Sequence, residues 1–189
     1  MSINDQFKGY FKDERGVYVL SGYYVPDGVE KPDVDLKELI LGLKKGHASP
    51  ALIHHVQECS KTFRLLSKEL GGPSPVLVPY PSSQAGSFGG IARFCQDVAE
   101  ENRWGFERAL NRIKTRPASH NNNRGARGKN THEGTYELNR NFTTERPVFL
   151  VDDITTTGHS LTTGRDFINS SLSVTGRNPG VHMIAILKT

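Results

Sequence analysis

The sequence predicts an α/β protein in which a mainly parallel central sheet is flanked by helices. Along its 189 residues, short apolar runs alternate with longer stretches that repeat apolar residues at helical spacing. Such an alternation is typical of parallel sheets built from strand–helix–strand units. The length fits one domain with at most a small appendage, and the sequence contains no internal repeat.

In the first part of the chain the pattern predicts one strand region and two helices. Residues 16–26 are rich in β-branched and aromatic residues around a Ser-Gly pair, which is typical of a strand or hairpin. Apolar residues on one face predict a helix over 35–45. Ser49 and Pro50 suit the N-cap and first turn of a longer helix over 51–70, which a Gly-Gly pair ends.

The rest of the chain alternates more regularly between strands and helices. The predicted elements are, in order, a buried strand over 76–81, a helix over 91–102, a strand over 106–113, a strand over 147–151, a helix over 160–172 and a closing strand over 181–187. Residues 114–135 lack apolar periodicity, and a segment of this length inside a compact domain is usually functional or disordered.

The charge of the chain is unevenly distributed. Its net charge is +4, but residues 103–146 carry ten Lys or Arg against four Glu, and residues 112–129 carry six basic residues and no acidic one. A concentrated cationic stretch fits an anionic ligand, such as a polyphosphate or a nucleic acid backbone.

Composition also excludes several classes of protein. No apolar run reaches the roughly 18 residues that a transmembrane helix needs, and residues 1–15 lack the apolar region of a signal peptide. Cys59 and Cys95 are too few for a disulfide framework or a cysteine zinc site. We therefore expect a cytoplasmic protein that makes no contact with a membrane.

The most informative segment is 148–160, VFLVDDITTTGHS. Its apolar part predicts a buried strand, Asp152 and Asp153 stand at the carboxyl end of that strand, and Gly158 turns the chain into the next helix. Ligands of open α/β sheets bind at this end of the strands. The amides at the start of the helix, together with the nearby hydroxyls, predict an anion-binding loop.

The two carboxylates of this segment have a different preference. Asp152 and Asp153 do not favour a phosphate, because like charges repel. They suit the hydroxyl groups of a sugar, or a hydrated Mg²⁺ that phosphates also bind. A diol site beside a phosphate site predicts a sugar phosphate as the ligand.

This segment resembles the signature with which type I phosphoribosyltransferases bind 5-phosphoribosyl 1-diphosphate (PRPP). That signature has an apolar strand, two acidic residues, an apolar residue and a Thr-rich loop with a glycine, and residues 148–158 contain these in order. The resemblance implies the type I phosphoribosyltransferase (Rossmann-like) fold. The structural alternative is an unrelated turn that Asp and Thr side chains cap.

Within that superfamily the chain is most similar to the competence-associated, ComF-like branch. The similarity lies in the Leu-Lys-x-Gly pattern ending at Gly46, in the run VLVPYPSS at 76–83, and in an Arg-x-x-Asn segment at 127–130 followed by Gly134 and Tyr136. It implies a phosphoribosyltransferase-like domain over 36–189. Residues 1–35 would then form an N-terminal strand and hood segment, the part that binds the acceptor in these enzymes.

The resemblance also implies a role for each part of the site. Asp152 and Asp153 would hold the ribose hydroxyls and Mg²⁺, the latter directly or through water. The residues implied to bind the 5-phosphate are Thr155, Thr156, Thr157, Gly158, His159 and Ser160. The turn implied to bind the diphosphate comprises Tyr80, Pro81, Ser82 and Ser83. The basic residues implied to close over the leaving group, as part of a mobile lid, are Arg116, Arg124, Arg127 and Lys129.

One catalytic role has no candidate. Purine-salvage members carry an acidic general base four positions after the first acid of the pair, and Thr156 stands at that position. A threonine hydroxyl does not accept a proton at neutral pH, which disfavours salvage of 6-oxopurines.

Two hypotheses about function therefore stay open. The first is an Mg²⁺-dependent phosphoribosyltransferase that transfers the phosphoribosyl group of PRPP to a nucleobase or an amine and releases diphosphate. The second is a non-catalytic, ComF-like accessory protein that binds PRPP or a nucleotide, or that binds single-stranded DNA through residues 112–129. A second copy of the chain, in a homodimer, is a further partner that the superfamily implies.

Overall fold

The computed structural model of the chain describes residues 9–20, 34–45, 50–70, 72, 74–115, 134–173, 176 and 179–188. The helices within these ranges are α1 (Val34–Lys45), α2 (Pro50–Glu69), α3 (Ile91–Asn102) and α4 (His159–Ser173). The strands are β1 (Phe11–Lys12), β2 (Val17–Val19), β3 (Val76–Pro79), β4 (Gly105–Phe106), β5 (Leu110–Arg112), β6 (Tyr136–Leu138), β7 (Val148–Thr155) and β8 (Val181–Lys188). All four predicted helices are confirmed, and each end lies within one residue of its predicted position.

Six of these strands form one sheet in the order β1-β2-β8-β7-β3-β4. Every neighbouring pair is parallel except β1 and β2, which are antiparallel at one edge. The predicted α/β class with a mainly parallel sheet is therefore confirmed for the described residues. Within the same residues, none of the helices has the length and apolar character that crossing a membrane requires.

The helices cover both faces of the sheet. Phe149 and Val151 of β7 pack with apolar residues of α1, α2 and α3, whereas Val148 and Leu150 pack with α4. This division follows from the two-residue period of a strand, in which successive side chains point to opposite faces. A strand covered on both faces explains why 148–151 is an unbroken apolar run.

The single strand predicted over 106–113 is wrong. It is replaced by β4, which extends the main sheet beside β3, and by β5, which pairs antiparallel with β6 in a separate two-stranded ribbon. The chain between them leaves one sheet and enters another. A local apolar pattern carries no information about such a change of partner.

β2 lies within the strand or hairpin predicted over 16–26, and it forms a hairpin with β1, which that prediction did not include. The turn of this hairpin lies between β1 and β2, because Asp13 Oδ1 accepts the amides of Arg15 and Val17 at 3.0 and 2.9 Å. Such a turn needs no Ser-Gly pair, since the carboxylate itself caps the amides. Residues 21–33, which contain the rest of the predicted 16–26 element, lie outside the described residues.

The direction in which strands are added to the sheet reverses between β3 and β7. From β3 the chain passes through α3 to β4, toward one edge, and from β7 it passes through α4 to β8, toward the other. Because β3 and β7 are neighbours, the segments that leave their carboxyl ends lead to opposite edges of the sheet, and in open α/β sheets a crevice forms between such segments. In open α/β sheets such a reversal is where ligands bind.

Candidate functional site

The acidic pair lies where β7 extends beyond its neighbour β3. The register pairs Pro79, the last residue of β3, with Val151, so β7 continues past β3 from Asp152 onward. Oδ1 of Asp152 accepts the amide of Asp153 at 2.9 Å, and Oδ1 of Asp153 accepts the amide of Ile154 at 2.7 Å. Both residues are partly exposed, so their carboxyl groups are fixed by the backbone at the mouth of the crevice.

The surroundings of Asp152 favour its neutral form. Burial raises the pKa of Asp152 well above its usual range, and the carboxylate of Asp153 raises it further. The amide of Asp153 and the guanidinium of Arg112 lower the pKa but do not offset these effects. Repulsion between like charges at short range thus makes Asp152 harder to ionise than an isolated aspartate.

The hydroxyl-rich loop 156–158 leads from β7 to α4 at the same edge of the sheet. Thr155 is buried, and its Oγ1 accepts the amide of Gly158 at 3.0 Å. Gly158 has a φ of 69°, and a Cβ there would lie 3.2 Å from Val17, so this turn requires glycine. Thr156 and Thr157 are exposed, which leaves their hydroxyls accessible to a ligand.

The N-terminus of α4 follows this loop directly. The amide of Thr162 donates to the carbonyl oxygen of Gly158 at 2.9 Å, and the amides that precede it, including those of His159 and Ser160, are in the first turn. First-turn amides have no acceptor within the helix, and together with the helix dipole they favour an anion. Binding of a 5-phosphate by residues 155–160 stays a prediction.

The turn predicted to bind diphosphate follows β3 directly, beside the acidic pair. It consists of Tyr80, Pro81, Ser82 and Ser83. The amides of Tyr80 and Ser82 donate to carbonyl oxygens elsewhere in the protein, at 2.7 and 2.9 Å, and proline has no amide hydrogen. Ser83 is exposed and, among the described residues, has no hydrogen-bond partner, so it is the residue of this turn that offers both an amide and a hydroxyl.

Arg112 is a site residue that sequence reasoning missed. It ends β5 directly opposite Tyr136 of β6, and it is only 4% exposed. Its Nε donates to the carbonyl oxygen of Ser82 at 2.6 Å, its Nη2 donates to the Tyr136 hydroxyl at 3.1 Å, and its guanidinium lies 4.8 Å from the centre of that ring. Nothing in the linear sequence separates Arg112 from the other basic residues of 112–129.

Tyr80 connects the same cluster to the main sheet. Its hydroxyl shares a hydrogen bond with the Tyr136 hydroxyl, and burial, followed by the proximity of Tyr136, raises the pKa of Tyr80 well above its usual range. A Cβ on Gly164 of α4 would lie 2.9 Å from the Tyr80 ring, so the helix approaches this tyrosine closely only because glycine stands there. The Tyr80 side chain is therefore a buried support of the turn and not a solvent-facing ligand.

Arg15 is the second site residue that the sequence did not indicate. It lies in the turn of the N-terminal hairpin, where its Nη1 donates to His159 Nδ1 at 3.3 Å. Its Cδ lies 3.3 Å from the position of a Cβ on Gly158, so its aliphatic part covers the start of the anion loop. The hairpin is held there by an ion pair between Asp13 and Lys188 at 3.0 Å.

The basic residues predicted to close over a leaving group lie outside the described residues. They are Arg116, Arg124, Arg127 and Lys129. The described residues before them pack against the loop that follows Ser83, because Ala85 donates its amide to Thr115 Oγ1 at 3.1 Å and Gly86 donates to the Arg112 carbonyl oxygen at 2.9 Å.

The acidic pair has the donor set of an Mg²⁺ site that is completed by substrate. In the part of the chain that the structure describes, no group of three or more His, Cys, Asp or Glu side chains surrounds a metal position. Mg²⁺ often binds through one or two carboxylates together with water and substrate phosphates, and Asp152 and Asp153 supply two. Their mutual repulsion, which raises the pKa of Asp152, is the kind of strain that a cation relieves.

Comparison with known proteins adds no family to these observations. The chain matches no protein-family model, and no curated protein matches it.

Proposed function

We propose that this protein is an Mg²⁺-dependent phosphoribosyltransferase of type I fold. It would bind PRPP and transfer the phosphoribosyl group to a nitrogen nucleophile, with release of diphosphate. The observation that supports this most directly is the position of two loops, the one after β3 and the one after β7. They lie side by side at the point where the direction of strand addition reverses. There the acidic pair and hydroxyl loop of β7 lie beside the turn that follows β3, and a ligand with two anionic ends and a diol between them matches that arrangement.

Each end of PRPP has donors suited to it. The 5-phosphate would bind at 156–160, where first-turn amides and two exposed threonine hydroxyls are available. The ribose hydroxyls would bind to Asp152 and Asp153, and the diphosphate would lie toward Ser83. Arg15 would supply positive charge near the 5-phosphate, beside His159. Arg112 would supply it near the diphosphate, beside Ser82.

The proposed reaction forms a bond from the nucleophilic nitrogen to C1 of the ribose and breaks the bond from C1 to the diphosphate oxygen. The diphosphate leaves with the electron pair of that bond. Positive charge develops on the ribose and negative charge on the leaving group, and fixed donors at the site stabilise the latter. When bound by Asp152 and Asp153, Mg²⁺ would neutralise part of the diphosphate charge.

A ligand would also change the ionisation of the acidic pair. In the free protein, burial and then the carboxylate of Asp153 raise the pKa of Asp152. Ribose hydroxyls that donate to these carboxylates, and the charge of Mg²⁺, both stabilise the ionised form. We therefore expect binding to release a proton.

Binding without transfer is the second candidate function, and Thr156 supports it. This residue is exposed at the crevice where purine-salvage enzymes carry their general base, and it supplies none. Measurement of diphosphate release with candidate bases and amines separates the two functions. Single-stranded DNA stays an alternative ligand, although Arg112, the first of the six basic residues of 112–129, is 4% exposed and so adds little to a nucleic acid surface.

Calorimetric titration of Mg²⁺-PRPP into the protein tests the proposal, with ribose 5-phosphate as a comparison ligand. We expect micromolar, Mg²⁺-dependent binding to the wild-type protein. The double variant Asp152→Asn with Asp153→Asn should abolish PRPP binding while its circular dichroism spectrum stays unchanged. Asp166→Asn, which removes an exposed carboxylate of α4, is the control and should bind normally. Undiminished binding by the double variant would overturn the proposal.

A further inference from the structure

Arg112 carries a positive charge in the interior of the protein, and no carboxylate among the described residues pairs with it. The side chain is 4% exposed, and its three nitrogens have unequal surroundings. Nε and Nη2 donate to uncharged oxygens, those of the Ser82 carbonyl and the Tyr136 hydroxyl. Nη1 is buried, and within the described residues it has no hydrogen-bond partner.

No carboxylate of the described residues forms an ion pair with Arg112. Within the part of the chain that the structure describes, the guanidinium is therefore uncompensated by a counter-ion.

An uncompensated buried charge is unfavourable, because desolvation of the ion is not offset by attraction to a counter-ion. Proteins retain such groups where the missing charge arrives with a ligand, since perturbed charges cluster at functional sites. Arg112 lies at the carboxyl end of β3, next to the turn that we propose as the diphosphate end of the site. The ligand group nearest to it is thus the diphosphate and not the 5-phosphate, which would lie across the crevice near Arg15 and His159.

We propose that Arg112 is a positioning residue that makes the site selective for ligands carrying a diphosphate at the β3 end. It acts in two ways. Its hydrogen bond to the Ser82 carbonyl oxygen fixes the turn in which Ser83 is exposed. Its positive charge is balanced when a diphosphate binds. Because Nη1 is buried, Arg112 acts on the ligand through the turn and the local field without touching it. This inference rests on the proposed function, since it assigns one end of the PRPP molecule to one residue.

Binding of three ligands to three forms of the protein tests this inference. Dissociation constants for Mg²⁺-PRPP, Mg²⁺-diphosphate and ribose 5-phosphate are measured by calorimetry for the wild-type protein, Arg112→Met and Arg112→Lys. Arg112→Met should weaken binding of PRPP and of diphosphate by about tenfold, because it removes a nearby positive charge and the hydrogen bond that fixes the turn, although not a direct contact with the ligand. Binding of ribose 5-phosphate should change by less than about twofold. Arg112→Lys keeps the charge but loses the planar fork, and should recover part of the PRPP affinity.

Arg146 offers a matched control at the other end of β3. Its Nε and Nη2 donate to the carbonyl oxygens of Ser74 and Pro75 at 2.6 and 3.0 Å, so it makes the same kind of contact as Arg112 but before β3 instead of after it. Arg146→Met should lower the melting temperature and leave the ratio of PRPP affinity to ribose 5-phosphate affinity unchanged. A purely structural role of Arg112 predicts the same result for Arg112→Met.

The outcomes separate this inference from the proposed function. If the wild-type protein binds PRPP and the affinity ratio is the same in Arg112→Met, the inference is wrong and the proposed function stands. If the wild-type protein binds none of the three ligands, both are wrong. If Arg112→Met does not fold, Arg112→Lys decides the question: a selective loss of PRPP affinity supports the inference, and an unchanged ratio overturns it.

Discussion

Asp152 is a carboxyl group whose ionisation depends both on the fold and on the residue that follows it in the chain. β7 carries it to the point where β3 ends, and the next residue in the chain is a second carboxylate. Burial, and then repulsion from Asp153, raises its pKa well above the usual range. The folded protein consequently binds this proton more tightly than the unfolded chain, in which the pKa of an aspartate is about 3.9.

The variant Asp152→Asn should be more stable than the wild-type protein at neutral pH. The folded protein binds this proton more tightly than the unfolded chain, so wild-type stability falls as pH rises from the unfolded pKa of about 3.9 through the raised folded pKa. The variant has no such loss of stability. The difference in the free energy of unfolding between variant and wild type should therefore grow with pH, and it should vanish below about pH 3.5. Each kcal/mol of difference corresponds to roughly 2–4 °C in melting temperature for a chain of this size.

Thermal melts of both proteins between pH 3.5 and pH 8 would measure this advantage. Asp166→Asn is the control, because that carboxylate is exposed and its substitution should give a curve parallel to that of the wild-type protein. A parallel curve for Asp152→Asn as well would contradict the raised pKa.

At the level of single residues, the sequence indicated the groups that belong to one continuous motif and missed those that do not. Asp152, Asp153 and the hydroxyl loop are consecutive in the chain, so their common location could be predicted. Arg112 and Arg15 reach the crevice only because strand pairing carries them there. Long-range pairing has no local sequence signal, and these two residues therefore could not be assigned.

Among the elements, the hairpin of β1 and β2 is held by polar contacts of one side chain, that of Asp13. Asp13 accepts two amides of its own turn, and its carboxylate pairs with Lys188 of β8. Its side chain is 4% exposed and that of Lys188 is 15% exposed. Burial alone would raise the pKa of Asp13, but the amide of Val17, the ammonium group of Lys188 and the amide of Arg15 together hold it below its usual value.

Asp13→Ala should destabilise the protein by about 1–3 kcal/mol at pH 7, since it leaves the part-buried Val17 amide and Lys188 ammonium group without their charged acceptor. The stabilisation by Asp13 is present above the unfolded pKa of about 3.9 and is lost as pH falls through the lowered folded pKa. The difference between variant and wild type should therefore shrink in acid. Urea denaturation of both proteins at pH 7 and at pH 3 measures this difference in the free energy of unfolding.

A surface carboxylate provides the control for this variant. Asp97 forms an exposed ion pair with Arg93 four residues before it on α3, and such pairs contribute about 0–1 kcal/mol. Asp97→Ala should thus change stability little at either pH. If Asp13→Ala behaves in the same way, the ion pair with Lys188 does not hold the hairpin.

Helices could be predicted from the sequence more accurately than strands, for a physical reason. The 3.6-residue periodicity and the end signals of a helix lie within the helix itself, and all four predicted helices are confirmed. A strand is completed by its partner, which can lie anywhere in the chain. The residues predicted as one strand over 106–113 therefore became two strands in two sheets.

For the whole molecule, ligand binding should appear as thermal stabilisation. A ligand that binds the folded protein alone adds about 2.7 kcal/mol at a concentration one hundred times its dissociation constant. With roughly 2–4 °C for each kcal/mol, saturating Mg²⁺-PRPP should raise the melting temperature by about 5–11 °C.

Differential scanning fluorimetry with and without Mg²⁺ measures this shift, and the double variant Asp152→Asn with Asp153→Asn is the control that should not respond. A shift of equal size in the double variant would show that PRPP binds somewhere other than the acidic pair.

The pairing of β2 with β8 has a consequence for the order in which the molecule can be assembled. Asp13 and Lys188, which join these two strands, are 175 residues apart in the sequence. A ribosome delivers β2 well before its neighbour β8, so Val17 and Val19, which are buried in the folded protein, stay uncovered until β8 has been synthesised. Contacts between such distant residues slow folding, and exposed strand edges in incomplete chains promote aggregation. The nascent protein is thus most exposed to misassembly at its N-terminal hairpin.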